Sequence, residues 1–271
     1  MEVSDDGDGA PRRVRGTLRE RLAAALRALR GVDPAALTTA EGWEHYARSH
    51  AGPGQLGDEW SRPAELGLDP DAGELVPTLD RQVLAPALAG TGTLLEIGAG
   101  GGRWTAALRP HCRRLIAADT SPTMLALLRR RFAGNDGVEY LHLDGQGLAP
   151  LADASVDAVF SFDVFVHLSH WDVFNYLREI ARVLRPGGRA VIHHGHVLSE
   201  LGWANFLSEL PYTVNRHIPF GNFSVMTPGL MQALAERAGL AVEACRTDVV
   251  PRDAIALLRK ARPASGNEVG T

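Results

Sequence analysis

The stretch Leu94-Leu95-Glu96-Ile97-Gly98-Ala99-Gly100-Gly101-Gly102-Arg103-Trp104 constrains this chain more than any other. An apolar run meets an acidic residue, glycines crowd the next positions, and a segment able to start a helix follows. That order reads as a buried strand, a tight turn and a helix N-terminus. Glycine has no Cβ, so the turn can be sharp and a ligand can approach its backbone. Nucleotide-like ligands are held this way at the edge of a parallel sheet. The spacing departs from the dinucleotide fingerprint G-x-G-x-x-G: Gly98 and Gly100 fit it, but Arg103 takes the third place. A P-loop is excluded, because no Lys-Ser or Lys-Thr follows and Lys260 is the sole lysine. What stands is E-x-G-x-G-x-G, through Glu96, Gly98, Gly100 and Gly102.

Strands and helices alternate around this turn. Strands are expected at 93–99, 114–119, 138–144, 156–162 and 189–194, then at 240–247 and 254–259. Helices are expected at 77–88, from Arg103 to Leu108, and from Ser121-Pro122 to Gly134, where Ser caps and Pro takes the first helical position. Trp171, Phe174, Leu177, Ile180 and Leu184 repeat at helical spacing up to Arg185-Pro186-Gly187-Gly188. Thr227-Pro228 starts a last helix ending at Gly239. Such alternation indicates a parallel, doubly wound sheet of the α/β class. Residues 1–14 read as a disordered tail, 15–74 as a helical cap, 75–262 as the ligand-binding domain and 263–271 as a second tail. Within the cap, Thr17 to Leu29 has an apolar leucine face and a basic face, and Trp43, Tyr46 and Trp60 are placed to cover a ligand or to plug the cap onto the core. Residues 197–226 interrupt the alternation and read as a lid insertion after the fifth strand.

Bulk properties narrow the partners. The chain has 271 residues and a net charge of −4, so nothing draws it generally to nucleic acid or an anionic membrane. Only Cys112 and Cys245 are present, so no disulfide framework or zinc ribbon is implied. No apolar run approaches the length that spans a bilayer, and no secretory signal is evident. A cytoplasmic protein with a small-molecule substrate is expected, as monomer or homodimer. The heavy use of Ala, Arg, Leu and Gly points to a GC-rich bacterial genome.

With these residues in view, the sequence resembles the class I S-adenosylmethionine (SAM) dependent methyltransferases, whose first motif is a strand ending in an acid followed by G-x-G-x-G. Further stations match in order: Asp119 ends the second strand, Leu143-Asp144-Gly145 the third, and Ser161-Phe162-Asp163 the fourth, before Leu184-Arg185-Pro186-Gly187-Gly188. The resemblance covers about Leu75 to Arg262. It implies a Rossmann-like, seven-stranded sheet of order 3-2-1-4-5-7-6 with strand 7 antiparallel. It implies SAM as cofactor, S-adenosylhomocysteine as product, and no metal requirement. Asp119 would accept from the ribose hydroxyls, with Thr120 and Met124 beside it. Asp144, Gly145 and Gln146 would meet the adenine. Glu96, Gly98, Ala99, Gly100 and Gly102 would form the turn, with Arg103 and Trp104 facing the methionine carboxylate through their backbone N–H groups. Phe162, Asp163 and His167 would close the cofactor site from the fourth strand. Glu96 could instead pair with Arg103, and Asp119 could merely cap the helix at Ser121.

Methyl transfer to oxygen needs alignment and a proton acceptor. Histidine suits that task, and His167, His193, His194 and His196 follow the fourth and fifth strands, with His167 and His194 as the candidate bases. Alternation puts His193 and His194 on opposite faces, so one of the two at most faces a pocket. Trp60, His196, Trp203, Phe206, Tyr212, Phe220 and Phe223 are candidate pocket residues for an organic acceptor. The expected activity is O-methylation of a phenolic or sugar-bearing natural product. Alternatives are N- or C-methylation, or a non-catalytic methyltransferase-like partner protein.

Overall fold

A computed structural model describes residues 39–50, 75–214 and 221–262. The tails, the basic helix at Thr17–Leu29, Trp60 and Phe220 lie outside them, as does the side chain of Tyr212. Helix α1 (Thr39–His50) comes first. Then α2 (Leu75–Leu79), a π turn (Asp80–Leu84) and α3 (Ala85–Leu88) lead into β1 (Thr91–Ile97). The expected single helix at 77–88 is thus two short helices around a wider turn, starting two residues earlier. α4 (Arg103–Leu108), β2 (Cys112–Asp119), α5 (Pro122–Arg131) and β3 (Val138–His142) follow. β4 (Val156–Ser161), α6 (His170–Val183) and β5 (Leu184–Gly195) come next. α7 (Glu200–Val214), α8 (Pro228–Arg237), β6 (Leu240–Arg246) and β7 (Asp253–Lys260) complete the chain.

The seven strands lie in the order β3-β2-β1-β4-β5-β7-β6. All neighbours from β3 to β5 are parallel, and β7 runs antiparallel between β5 and β6. The carboxyl ends of β1, β2, β4 and β5 and the start of β7 therefore share one edge. Side-chain alternation fills both faces. Leu95, Ile97, Val159, Ala190 and Ile192 pack beneath α6 and α8. Leu94, Leu115, Phe160, Val191 and Ile255 face the other way, with Trp104 and the α2–α3 segment over them.

The helix starts are fixed locally. The hydroxyls of Ser121, Ser169 and Thr227 accept the N–H of Met124, Asp172 and Leu230, each satisfying a donor that has no partner within its own helix. β5 is longer than the sequence indicates. Leu184 already pairs with Val156, and the Pro-Gly-Gly segment is a register shift inside the strand rather than a turn ahead of it. The lid insertion is built around α7. Among the described residues no helix is long and apolar enough to cross a membrane.

Candidate functional site

The glycine turn sits where β1 ends, beside the ends of β2 and β4. Gly98, Gly100 and Gly102 have φ of +75°, +54° and +92°, the left-handed region that glycine enters without steric cost. Neighbours also demand glycine at two of them. A Cβ on Gly98 would overlap Val164, and one on Gly102 would lie 2.6 Å from Phe132. Around a Cβ on Gly100 nothing among the described residues lies within 4 Å, so they leave the turn open to a ligand at that point. The N–H groups of Gly98 and Ala99 both donate to Ala118 O, at 2.8 and 3.0 Å, which locks the turn onto β2.

Asp119 ends β2 with its carboxylate against this opening. It accepts from Gly100 N–H and Ser121 N–H, each at 2.8 Å. The two readings of Asp119 thus coexist, since it holds the turn before α5 and faces the crevice. Burial pushes its pKa up against the pull of those N–H groups. Each oxygen keeps a second lone pair. Thr120 is half-buried at the rim, and Met124 is buried below. One strand over, Asp144 is exposed and accepts from Gln146 N–H at 2.8 Å. Gly145, with φ +83°, brings its backbone close to Ala40 of α1.

α1 lies over this edge through a residue that the sequence did not single out. Glu44 accepts from the Ser121 hydroxyl at 2.6 Å, the Thr123 hydroxyl at 2.8 Å and the Thr123 N–H at 3.1 Å. A carboxylate at a helix N-terminus is favoured by the orphan N–H groups and the helix dipole. Burial works against the charge, but these bonds hold its pKa below the usual value. The contact spans more than seventy residues of sequence, and no local pattern could signal it.

At the other end of the turn the alternative of a Glu96–Arg103 pair is not what forms. Arg103 Nη2 donates to Asp163 Oδ2 at 2.7 Å. Glu96, fully buried, accepts from Thr105 Oγ1 at 2.6 Å instead, and burial pushes its pKa up to about 8. Arg103 reaches across to β4 because a buried guanidinium must find an ionised partner, and Asp163 is ionised: burial opposes it, but Arg103 and then His193 hold its pKa down. Asp163 has φ +58°, a strained conformation worth about 1–3 kcal/mol that persists only where the surroundings enforce it. Arg103 Nη1 is buried and without a hydrogen bond among the described residues. Trp104 packs its ring on Phe162 and Phe160.

The histidines divide between the faces. His194 is fully buried on the side of Ile192, its Nδ1 donating to Gly195 O at 2.8 Å and its Nε2 3.8 Å from Cys245 Sγ. Burial lowers its pKa to about 4. That placement, on the α8 side of the sheet, corrects its reading as the base. His193 takes the crevice side instead, stacked on Phe162 at 3.9 Å. His167 lies between α1 and the lid, 5.3 Å from the Trp43 ring and 5.0 Å from Phe223. Its Nδ1 donates to Asn222 O at 3.3 Å, and burial lowers its pKa to about 4.

His196 lines a narrow cleft between the end of β5 and α7, with Phe206, Glu209 and Phe223. Its Nδ1 is buried and without a hydrogen bond among the described residues. Trp203 stacks on Phe206 at 5.1 Å but is half-exposed outside the cleft. Arg252 and Asp253 also belong to this edge and were missed. Their position just before an antiparallel strand beside β5 was the available signal.

The chain is similar to known methyltransferases. A methyltransferase-domain family matches residues 95–192. An uncharacterized methyltransferase of Mycobacterium tuberculosis is 30% identical over 197 residues, covering 65% of this chain and 77% of that protein. A demethylmenaquinone methyltransferase of Clavibacter sepedonicus is 43% identical over 100 residues, 36% of this chain, and the match spans only 39% of that protein. Among solved structures, the mitomycin 7-O-methyltransferase MmcR superposes with a TM-score of 0.61 over 90% of this chain and 67% of its own. At 19% identity that likeness is one of fold.

Proposed function

This chain belongs to the class I SAM-dependent methyltransferase family, and from that premise we propose that it transfers a methyl group from SAM to an oxygen of a small organic acceptor. The observation that carries the reading is the open glycine turn at Gly100, flanked by the Asp119 carboxylate and the orphaned Nη1 of Arg103. These residues fit the cofactor chemically. Asp119 has lone pairs for two ribose hydroxyls, and Arg103 has a free, buried donor for a carboxylate. The N–H groups at the start of α4 add positive potential there. Asp163 offers an ionised carboxylate for an ammonium group.

When bound, the cofactor would supply an activated sulfonium methyl, open to in-line attack by an acceptor atom with the C–S bond breaking and S-adenosylhomocysteine as the leaving group. The chain's own residues then have two tasks. They exclude water and align the acceptor, for which Phe206 and Phe223 provide an apolar wall. They also accept the proton of an acceptor hydroxyl, and we assign this to His196, whose Nδ1 has no other partner among the described residues. His167, held between Trp43 and Phe223, shapes the wall. An aromatic cleft with one free imidazole nitrogen favours a neutral phenolic or sugar-bearing acceptor.

Methyl transfer from radiolabelled SAM to a panel of phenols, glycosides and amines tests the reading. Labelling of a hydroxyl compound supports it, and labelling confined to amines or carbon acids moves the assignment to another atom. Failure of S-adenosylhomocysteine to bind in calorimetry would remove the activity altogether.

A further inference from the structure

A chain of buried charge runs back from Arg103 and Asp163 of the proposed cofactor site, and its remaining members, His193, Asp253 and Arg252, have no part in the chemistry above. Arg252 Nε donates to Asp253 Oδ2 at 2.8 Å. The same oxygen lies 3.2 Å from His193 Nε2. His193 Nδ1 accepts the backbone N–H of Asp163 at 3.1 Å, and Asp163 in turn takes Arg103 Nη2 at 2.7 Å. His193 and Asp253 are 0% and 2% exposed. A nitrogen that accepts an N–H carries no proton, so the proton of neutral His193 sits on Nε2, facing Asp253. The imidazole therefore accepts a hydrogen bond on one side, and on the other it turns Nε2 to the Asp253 carboxylate at 3.2 Å, a charge contact without hydrogen-bond geometry among the described residues.

Each end of this chain meets a different part of the site. At the cofactor end, the Asp163 N–H that His193 accepts belongs to the residue with φ +58°. At the acceptor end, the Arg252 guanidinium lies 4.3 Å over the Phe223 ring. The Phe223 N–H donates to Glu209 of α7 at 3.1 Å, so this ring is tied to the lid.

We propose that His193 is a positioning residue. Through Nδ1 it holds Asp163 in the left-handed conformation that presents its carboxylate to Arg103 and to the cofactor. Through Nε2, Asp253 and Arg252 it ties that turn to the acceptor wall at Phe223. Cofactor binding at Asp163 is then transmitted to Phe223 and tightens residues 221–226, which Ser224 N–H already anchors to Val166 O at 2.6 Å, before any acceptor arrives. The inference rests on the cofactor reading above and adds to it a physical link between the two halves of the site.

The two nitrogens can be separated by substitution. His193→Asn keeps an acceptor oxygen near the place of Nδ1 but cannot reach Asp253. His193→Gln keeps a donor near the place of Nε2 but leaves the Asp163 N–H unpaired. S-adenosylhomocysteine affinity by calorimetry and hydrogen exchange of residues 221–226 are the two readouts, and neither needs an acceptor. His193→Asn should bind within about threefold of the wild type, whereas His193→Gln should bind about tenfold or more weakly, as loss of a buried hydrogen-bond partner implies. The protection that residues 221–226 gain on binding in the wild type should vanish in His193→Asn. It should vanish equally in Asp253→Ala, which removes the shared oxygen and reads the same link should a histidine variant fail to fold. Equal weakening by His193→Asn and His193→Gln, or protection that persists in Asp253→Ala, would overturn the proposal. A wild type that does not bind S-adenosylhomocysteine would instead sink the cofactor reading on which it stands.

Discussion

At Gly98 and Gly100 the same substitution reports different things. Both have positive φ, so a Cβ strains either one. On Gly98 the added methyl would also collide with β-branched Val164, which has little freedom to move. Gly98→Ala should therefore lower stability by about 2 kcal/mol or more, read as a fall in the melting midpoint. On Gly100 the methyl meets only open space. Gly100→Ala should lose about 1 kcal/mol of stability, yet bind S-adenosylhomocysteine far more weakly, because the methyl enters the space proposed for the ligand. Wild-type affinity in that variant would place the ligand elsewhere. Asp119→Ala should weaken SAM binding by about 1–3 kcal/mol through loss of a charged acceptor, and calorimetry reads this directly.

Helix α1 buries Tyr46 and Ala47 and also carries a carboxylate and a ring that meet the site. Glu44 docks on the N-terminus of α5, and Trp43 touches His167. Glu44→Ala should raise hydrogen exchange across residues 39–50 by about five- to thirtyfold, corresponding to about 1–2 kcal/mol for a lost capping carboxylate. Exchange in the central strands should stay unchanged, since α1 adds nothing to the sheet ladder. If α1 exchanges no faster in the variant, the carboxylate is not its tether. This contact also shows where sequence reading stops. Hydrophobic runs, Ser-Pro and Thr-Pro starts and the glycine turn are local signals, and they placed seven strands within a few residues of their observed positions. The sheet order came from the resemblance, and it is the order observed. Local signals put the start of β5 after Arg185-Pro186-Gly187-Gly188, because Pro and Gly break pairing; the four residues are indeed unpaired with β4, but Leu184 ahead of them already pairs with Val156, which no local pattern marks. They left the partner of Arg103 open, and it proves to be Asp163, sixty residues away. Alternation separated His193 from His194, but only the packed faces show that His193 meets Asp253 and His194 meets Cys245. Charge pairing of this kind is decided by tertiary neighbours, which spacing does not encode.

Across the whole molecule, buried titratable groups set a pH window for stability. His167 and His194 have folded pKa values of about 4, against about 6.5 in an unfolded chain. Between those values the unfolded state binds the extra protons, so stability falls as pH drops from about 6.5 to about 4. Glu96 behaves oppositely. Its folded pKa of about 8 exceeds its unfolded value, so the folded state keeps a proton that the unfolded state has lost, and stability falls as pH rises through this range. From about pH 4.5 to 6.5 the two histidines oppose Glu96, and Asp119, whose pKa burial also raises, acts on the side of Glu96. Above about pH 6.5 the raised carboxyl groups act without the histidines. Each proton corresponds to about 1.4 kcal/mol per pH unit, so the stability curve should rise and then fall around a maximum near pH 6.5. Asp163 and Asp253, both with depressed pKa values, add a further loss only below about pH 4. Calorimetric unfolding from pH 4.5 to 8 tests the window. Glu96→Gln, which keeps the side-chain shape and removes the titration, should flatten the alkaline limb and steepen the acid one. An alkaline limb that survives this substitution would mean that Glu96 is ionised in the folded protein and that the loss of stability at high pH has another source.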